Sequence, residues 1–170
     1  MTIKELKPRK AINKAFLKVK PNRSEIENFK TNLIQLLDKI TVVENLPKDE
    51  SEEHLKNDIR DFLRDTYYKD NYAINTKDKK DLVIYLGKDT KSKAGVIIEA
   101  KRPSNKSEMI SAHNLNKKAF QELVLYYLRE RITHKNLEIK HLVVNNINEW
   151  FIFDEHLFER LFAQNKTFVK

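Results

Sequence analysis

The sequence predicts a mixed α+β fold, with helices packed on a central sheet of mixed strand direction. Three observations carry that expectation. Apolar residues recur at helical spacing in several long segments; two β-branched runs, "DLVIYLG" and "GVIIEAK", flank a polar loop; and "IKHLVVNN" and "EWFIFD" read as further strands. A chain of 170 residues, 40 % of them apolar, is long enough to bury one core and too short for two ordinary domains.

Taken in order, a basic arm over residues 1–23 precedes a domain over residues 24–170. The arm holds Lys4, Lys7, Arg9, Lys10, Lys14, Lys18, Lys20 and Arg23 against Glu5 alone, so most of the formal net charge of +8 sits there. Such an arm suits a polyanion, because each neutralised phosphate releases counterions. Lys10 and Lys14 are candidate contacts to the phosphates of such a polyanion. A solvated tail is the alternative, and Ala11, Ile12, Ala15, Phe16 and Leu17 would let part of the arm dock as a short helix.

"SEIENFKTNLIQLLDKI" predicts a helix ahead of the core, with Ser24 and Glu27 at capping-box spacing and Ile26, Phe29, Leu33, Leu36, Leu37 and Ile40 on one face. A second helix is expected over "SEEHLKNDIRDFLRDTYY", turning Leu55, Ile59, Phe62 and Leu63 inward. A short strand around Tyr72 to Asn75 leads into an antiparallel hairpin made of the two β-branched runs. Pro103 ends the hairpin. Asn105 and Glu108, again at capping-box spacing, predict a long helix from about Ser107 to Ile132, with Ala119, Leu123 and Tyr126 or Tyr127 on its core face and Glu130 toward solvent. Two strands follow, with Trp150, Phe151 and Phe153 expected in the core, and Asp154 caps a last helix over "EHLFERLFAQ".

Composition excludes several classes. Without cysteine there are no disulfides or thiolate zinc sites, and a reducing cytoplasm is the plain setting. Gly87 and Gly95 are the only glycines, so neither a P-loop nor a G-x-G-x-x-G turn can be built. No run of 18 apolar residues and no signal-type N-terminus is present, which argues against a membrane partner. His54, His113, His134, His141 and His156 lack metal-ligand spacing.

The chemistry concentrates at one end of the hairpin. With chain reversal near residue 91, Asp81 falls within a residue or two of a position opposite Glu99 and Lys101, and strand alternation sets Glu99 and Lys101 on one face, Ile98 and Ala100 on the other. Two carboxylates partly buried together repel, so either a cation joins them or one is protonated. Oxygen ligands without His or Cys favour Mg²⁺, with Mn²⁺ as a substitute, completed by water and a main-chain carbonyl for which Ala100 is the candidate. Lys101 could orient or deprotonate a water and stabilise charge on a phosphoryl oxygen. Arg102, next in sequence, is the first candidate for a phosphate contact; Lys106, Lys117, Lys118, Arg129 and Arg131 could follow a DNA backbone.

The D-x17-E-x-K pattern in "KKDLVIYLG" and "GVIIEAKRP" resembles the PD-(D/E)XK nuclease superfamily, with Lys80 standing where those proteins commonly have proline. The resemblance implies a restriction-endonuclease-like αβββαβ core. It also implies a Glu from the first core helix, either Glu52 or Glu53, and Gln121 followed by Tyr126 on the helix after E-x-K. "LKPRKAINKAF", "SEEHLKNDIRDFLRDTYY", "VIIEAKRPSNKSEM" and "KAFQELVLYYLRER" further resemble the N-terminal endonuclease domain of type IIG restriction-modification enzymes. That implies a prokaryotic, Mg²⁺-dependent double-stranded DNA endonuclease module leaving 5′-phosphate and 3′-hydroxyl ends, and a linked methyltransferase and target-recognition region in the full-length protein. A non-catalytic nucleic-acid-binding module of the same fold, a junction-resolvase or repair-type nuclease, and a protein-interaction domain are the alternatives.

Overall fold

The computed structural model describes residues 5–43, 45, 47–77 and 81–169. After a single helical turn, α1 (Pro8–Ala11), and a 3₁₀ turn at Phe16–Lys18, the chain forms α2 (Arg23–Val43), α3 (Lys48–Leu63), β1 (Ile74–Lys77), β2 (Asp81–Tyr85), β3 (Ala94–Ala100), α4 (Lys118–Leu128), β4 (His141–Asn145), β5 (Trp150–Asp154) and α5 (Glu155–Phe158). Helices α3, α4 and α5 each run on into a π-helical turn, at Arg64–Tyr68, Arg129–Thr133 and Glu159–Ala163.

The five strands form one mixed sheet in the order β1-β2-β3-β4-β5. β1, β2 and β3 pair antiparallel, whereas β3 and β4 are parallel and need a crossover, supplied by residues 102–117 and α4. Both faces are covered. Leu36 of α2 and Leu55, Ile59 and Leu63 of α3 pack on Leu82, Ile84, Ile98, Ala100 and Val143; Ala119, Leu123 and Tyr127 of α4 and Phe158 of α5 pack on Ile97, Leu142, Val144 and Phe153. The mixed α+β architecture expected from the sequence is the one observed, with helices ahead of the sheet. No described helix is long and apolar enough to cross a membrane.

Several local expectations are corrected. The first helix is capped by Asn22 and Glu25, not Ser24 and Glu27: Glu25 N donates to Asn22 Oδ1 at 2.9 Å and Asn22 N to Glu25 Oε2 at 2.7 Å. Both pairs have the i, i+3 spacing, and asparagine serves as well as serine in accepting from the first free backbone N–H groups of a helix. Ile26 and Leu37 are exposed, because α3 covers only the narrower stripe through Phe29, Leu33, Leu36 and Ile40. The first strand begins two residues later than expected. The described part of the arm does not dock: residues 5–22 are all exposed, Phe16 and Leu17 included.

The largest departure lies after β3. The helix expected from about Ser107 starts only at Lys118. Asn105 Oδ1 accepts from Ser107 Oγ and Glu108 N, closing a turn, while Asn114 Oδ1 takes Asn116 N. Asparagine side chains satisfied on their own backbone compete with the helical ladder. Met109 and Ile110 anchor this irregular segment in the core. Glu130, expected in solvent, is buried, because the π-turn rotates it inward to accept from Asn136 Nδ2. Trp150, expected in the core, is 38 % exposed and caps the Ile147 carbonyl through its indole N–H at 3.0 Å.

Candidate functional site

The β2–β3 register pairs Leu82 with Ile98 and Val83 with Ile97, with an irregularity between Ile84 and Tyr85. One step outward, Asp81 stands across from Glu99 on the adjacent strand. Positions directly opposite in an antiparallel pair share a face, so the backbone alone puts the two acids at one end of the sheet and on one side of it. The Asp81 side chain and Lys80 lie outside the described residues. Ala100 ends β3, paired with Asn145 of β4, whose carbonyl accepts the Lys101 N–H at 2.9 Å.

Strand alternation separates the two faces of β3 as expected: Ile98 and Ala100 enter the core under α2 and α3, and Ile97 the core under α4. Glu99 and Lys101 share the α4 face. They are 1 % and 3 % exposed, so two charged groups sit at core depth. Lys101 Nζ lies 2.9 Å from Glu99 Oε1, 2.7 Å from Glu122 Oε2 and 3.6 Å from Glu108 Oε2. Lys118 Nζ closes the group, 3.4 Å from Glu108 and 3.9 Å from Glu122.

Burial pushes the Glu99 carboxyl up to about 7, against the pull of the Lys56 and Lys101 charges. Burial also works against the Lys101 ammonium, but Glu99 and Glu122 outweigh it and hold the amine protonated beyond the ordinary lysine range. The two shifts express one imbalance: the lysine has three anions, whereas Glu99 loses more to desolvation than it gains. Glu99 Oε2 and Glu52 Oε1 are buried oxygens with no hydrogen-bond partner among the described residues. An orphaned acceptor in that setting fits a hard cation. Among the described residues no group of three His, Cys, Asp or Glu is arranged around a single metal position.

The remaining sequence candidates divide. Glu52 is half-buried while Glu53 is exposed, which separates two residues the sequence left open. Gln121 is exposed and bonded to Asn116; its neighbour Glu122 is the residue that faces Lys101. Tyr126 is core, with the Arg129 guanidinium 6.0 Å from its ring. Arg102 is half-buried with an Nε that has no hydrogen-bond partner among the described residues, Lys106 is exposed on the irregular segment, and Lys10 and Lys14 are exposed on the arm. Arg131 is not free to follow a backbone, because Glu159 holds it at 2.8 Å. Lys56 and Glu122 were not singled out from the sequence, and Lys118 was read only as a DNA-backbone candidate. The one legible signal was Lys118 and Glu122 four apart; Glu108 was read as a helix cap, which hid it.

A family model described as a domain of unknown function, DUF7149, matches residues 6–170. No curated protein and no solved structure matches the chain.

Proposed function

We propose that this chain, which belongs to the DUF7149 family, is a metal-dependent DNA endonuclease module of PD-(D/E)XK type that hydrolyses phosphodiester bonds. The observation that carries the reading is the burial of Glu99 beside Lys101 with Asp81 in register across the hairpin. A chain gains no stability by sinking a carboxylate with an unsatisfied oxygen into its core, and such sites are where chemistry is done. The α-β-β-β-α-β order from α3 to β4 supports the same reading, since it puts the acid on the second strand and E-x-K at the end of the third.

Asp81, Glu99 and the Ala100 carbonyl would hold the Mg²⁺ or Mn²⁺, which when bound supplies Lewis-acid polarisation of the phosphoryl oxygen and acidifies a coordinated water. Lys101, kept protonated by Glu99 and Glu122, acts as a fixed donor and positive charge: it orients the attacking water and stabilises the phosphoryl oxygens as charge develops on them. The proton released by the attacking water leaves to bulk solvent, since the ammonium has no lone pair to accept it. Glu108 and Glu122 set the direction of the ammonium, and the half-buried Glu52 assists from α3. Arg102, Lys106 and the arm residues Lys10 and Lys14 supply contacts to DNA phosphates. In a full-length type IIG-like protein, a linked methyltransferase and recognition region would choose the sequence, so the module alone would cut without site preference.

The test is plasmid nicking with Mg²⁺ or Mn²⁺, comparing the parent chain with Asp81→Ala. Nicking by the parent that the variant loses supports the proposal; equal rates remove it.

A further inference from the structure

A cleft of about 520 Å³ opens at the same end of the sheet as Glu99 and Lys101. One wall is the irregular segment after β3, beginning at Pro103, and the other is the β4–β5 turn, Asn146 to Glu149. These walls follow directly from Lys101 and from Asn145, which are themselves joined through a main-chain hydrogen bond. Crevices beyond the carboxyl ends of parallel strands are where α/β folds receive ligands. The volume lies within the roughly 300–1,000 Å³ of small-molecule sites, which is room for one nucleotide and not for a duplex.

We infer that this cleft takes a single unstacked nucleotide of the DNA strand, next to the cleavage centre; the inference rests on the nuclease reading. Met109 and Ile110 form an apolar floor for the face of a base. Asn114 and Asn148 stand on opposite walls with amides able to donate and accept along a base edge. Lys106 and Lys117 flank the opening at the positions a sugar-phosphate backbone would follow.

The turn that makes the second wall is held in a costly conformation. Ile147, a β-branched residue, has φ 74, in the region that favours glycine. Three contacts enforce it: Ile147 N donates to Asn145 Oδ1 at 3.3 Å, its carbonyl accepts Trp150 Nε1, and its side chain is buried with Val143. Backbone strain that a structure over-determines gathers at ligand clamps. Arg102 Nε and Asn145 Nδ2, just before the two walls, and Asn105 Nδ2, within the first, are buried donors without hydrogen-bond partners among the described residues. Glu149, the acid on this rim, is engaged by Asn146, whose Oδ1 accepts Glu149 N at 2.8 Å and whose Nδ2 donates to Glu149 Oε2 at 3.4 Å.

The experiment is fluorescence anisotropy in Ca²⁺ with labelled DNA duplexes that are blunt, carry a short single-stranded tail, or carry a tail whose junction nucleotide is abasic. The parent chain is compared with Ser111→Trp and Asn148→Trp, exposed rim positions where an indole fills the cleft without entering the core, and thermal melting verifies folding. Expected is at least a tenfold tighter affinity for the tailed duplex, lost with the abasic junction and lost in the tryptophan variants. No tail preference, or a preference unchanged by the abasic junction and both variants, overturns the inference. So does binding of free dAMP in competition with the blunt duplex but not with the tail. Nicking is scored separately: a chain that nicks but shows no tail preference loses only this inference, and one that prefers tails but never nicks loses the catalytic proposal.

Discussion

The Lys101 ammonium is closer to Glu122 Oε2, at 2.7 Å, than to Glu99 Oε1 of its own strand, at 2.9 Å. A helix therefore governs where the end of β3 points its charge. Glu122→Gln keeps the shape and removes one anion, and a charge-assisted hydrogen bond of this kind is worth about 1.5–3 kcal/mol. The expected result is a fall in nicking turnover of about 10- to 100-fold with a KM changed less than about threefold. A change in KM alone would show that Glu122 serves substrate binding, not the aim of Lys101.

Lys101→Met tests the same cluster through stability. Removing the ammonium leaves three carboxylates around an apolar side chain, and breaking a buried pair from one side costs about 3–5 kcal/mol. Urea unfolding at pH 8 should register that loss. At pH 5, where Glu99 can be neutral, the loss should shrink, and a loss equal at both pH values would contradict the electrostatic account. Nicking by this variant should fall at least about 100-fold.

Glu99 makes stability depend on pH in a defined direction. Its folded value, about 7, lies above the ordinary 4.5, so the unfolded chain releases the proton first. The stability tied to the neutral form is whole below 4.5 and is lost as pH rises through 7. The parent should lose on the order of 3 kcal/mol across that window, and Glu99→Gln should flatten the profile. Millimolar Mg²⁺ should raise the melting temperature of the parent at pH 8 and leave that of Glu99→Gln unmoved.

Glu159 acts with the opposite sign. Burial alone would raise its carboxyl, but hydrogen bonds from the Tyr127 hydroxyl at 2.8 Å and from Arg131 at 2.8 and 3.0 Å outweigh it and hold the group below the usual carboxylate range. Its contribution is present above 4.5 and is lost as pH falls through the depressed folded value. Glu159→Gln should cost about 1–2 kcal/mol at neutral pH and progressively less in acid, measured by urea unfolding. An undiminished cost at pH 3 would rule this linkage out.

Periodicity and alternation were enough for the architecture and for half of the candidate site. A stripe such as Leu55, Ile59 and Leu63 leaves a chain few choices but a helix against a sheet, and the alternation through Ile97, Ile98, Glu99, Ala100 and Lys101 already sorts these side chains between two faces. The hairpin arithmetic brought Asp81 close to Glu99, since antiparallel pairing is a local rule; the one-residue resolution came from the irregularity at Ile84 and Tyr85, which nothing in the composition marks. The other half of the cluster was invisible for a physical reason. Glu108 and Glu122 reach Lys101 because an asparagine-rich segment refuses the helix its spacing suggests and delays α4 to Lys118, and because α4 then crosses over β3. Capping-box spacing recurs wherever Ser, Asn and Glu are common, so Ser24 and Asn105 offered caps that Asn22 and a closed turn displaced. Glu130 and Glu122 were decided by where a π-turn and a helix start fall, which is a property of packing between segments distant in the chain. Local residue pattern chose the elements and their inward faces; only their assembly determined which charges meet, because a buried ion cluster is made of contacts that no single segment contains.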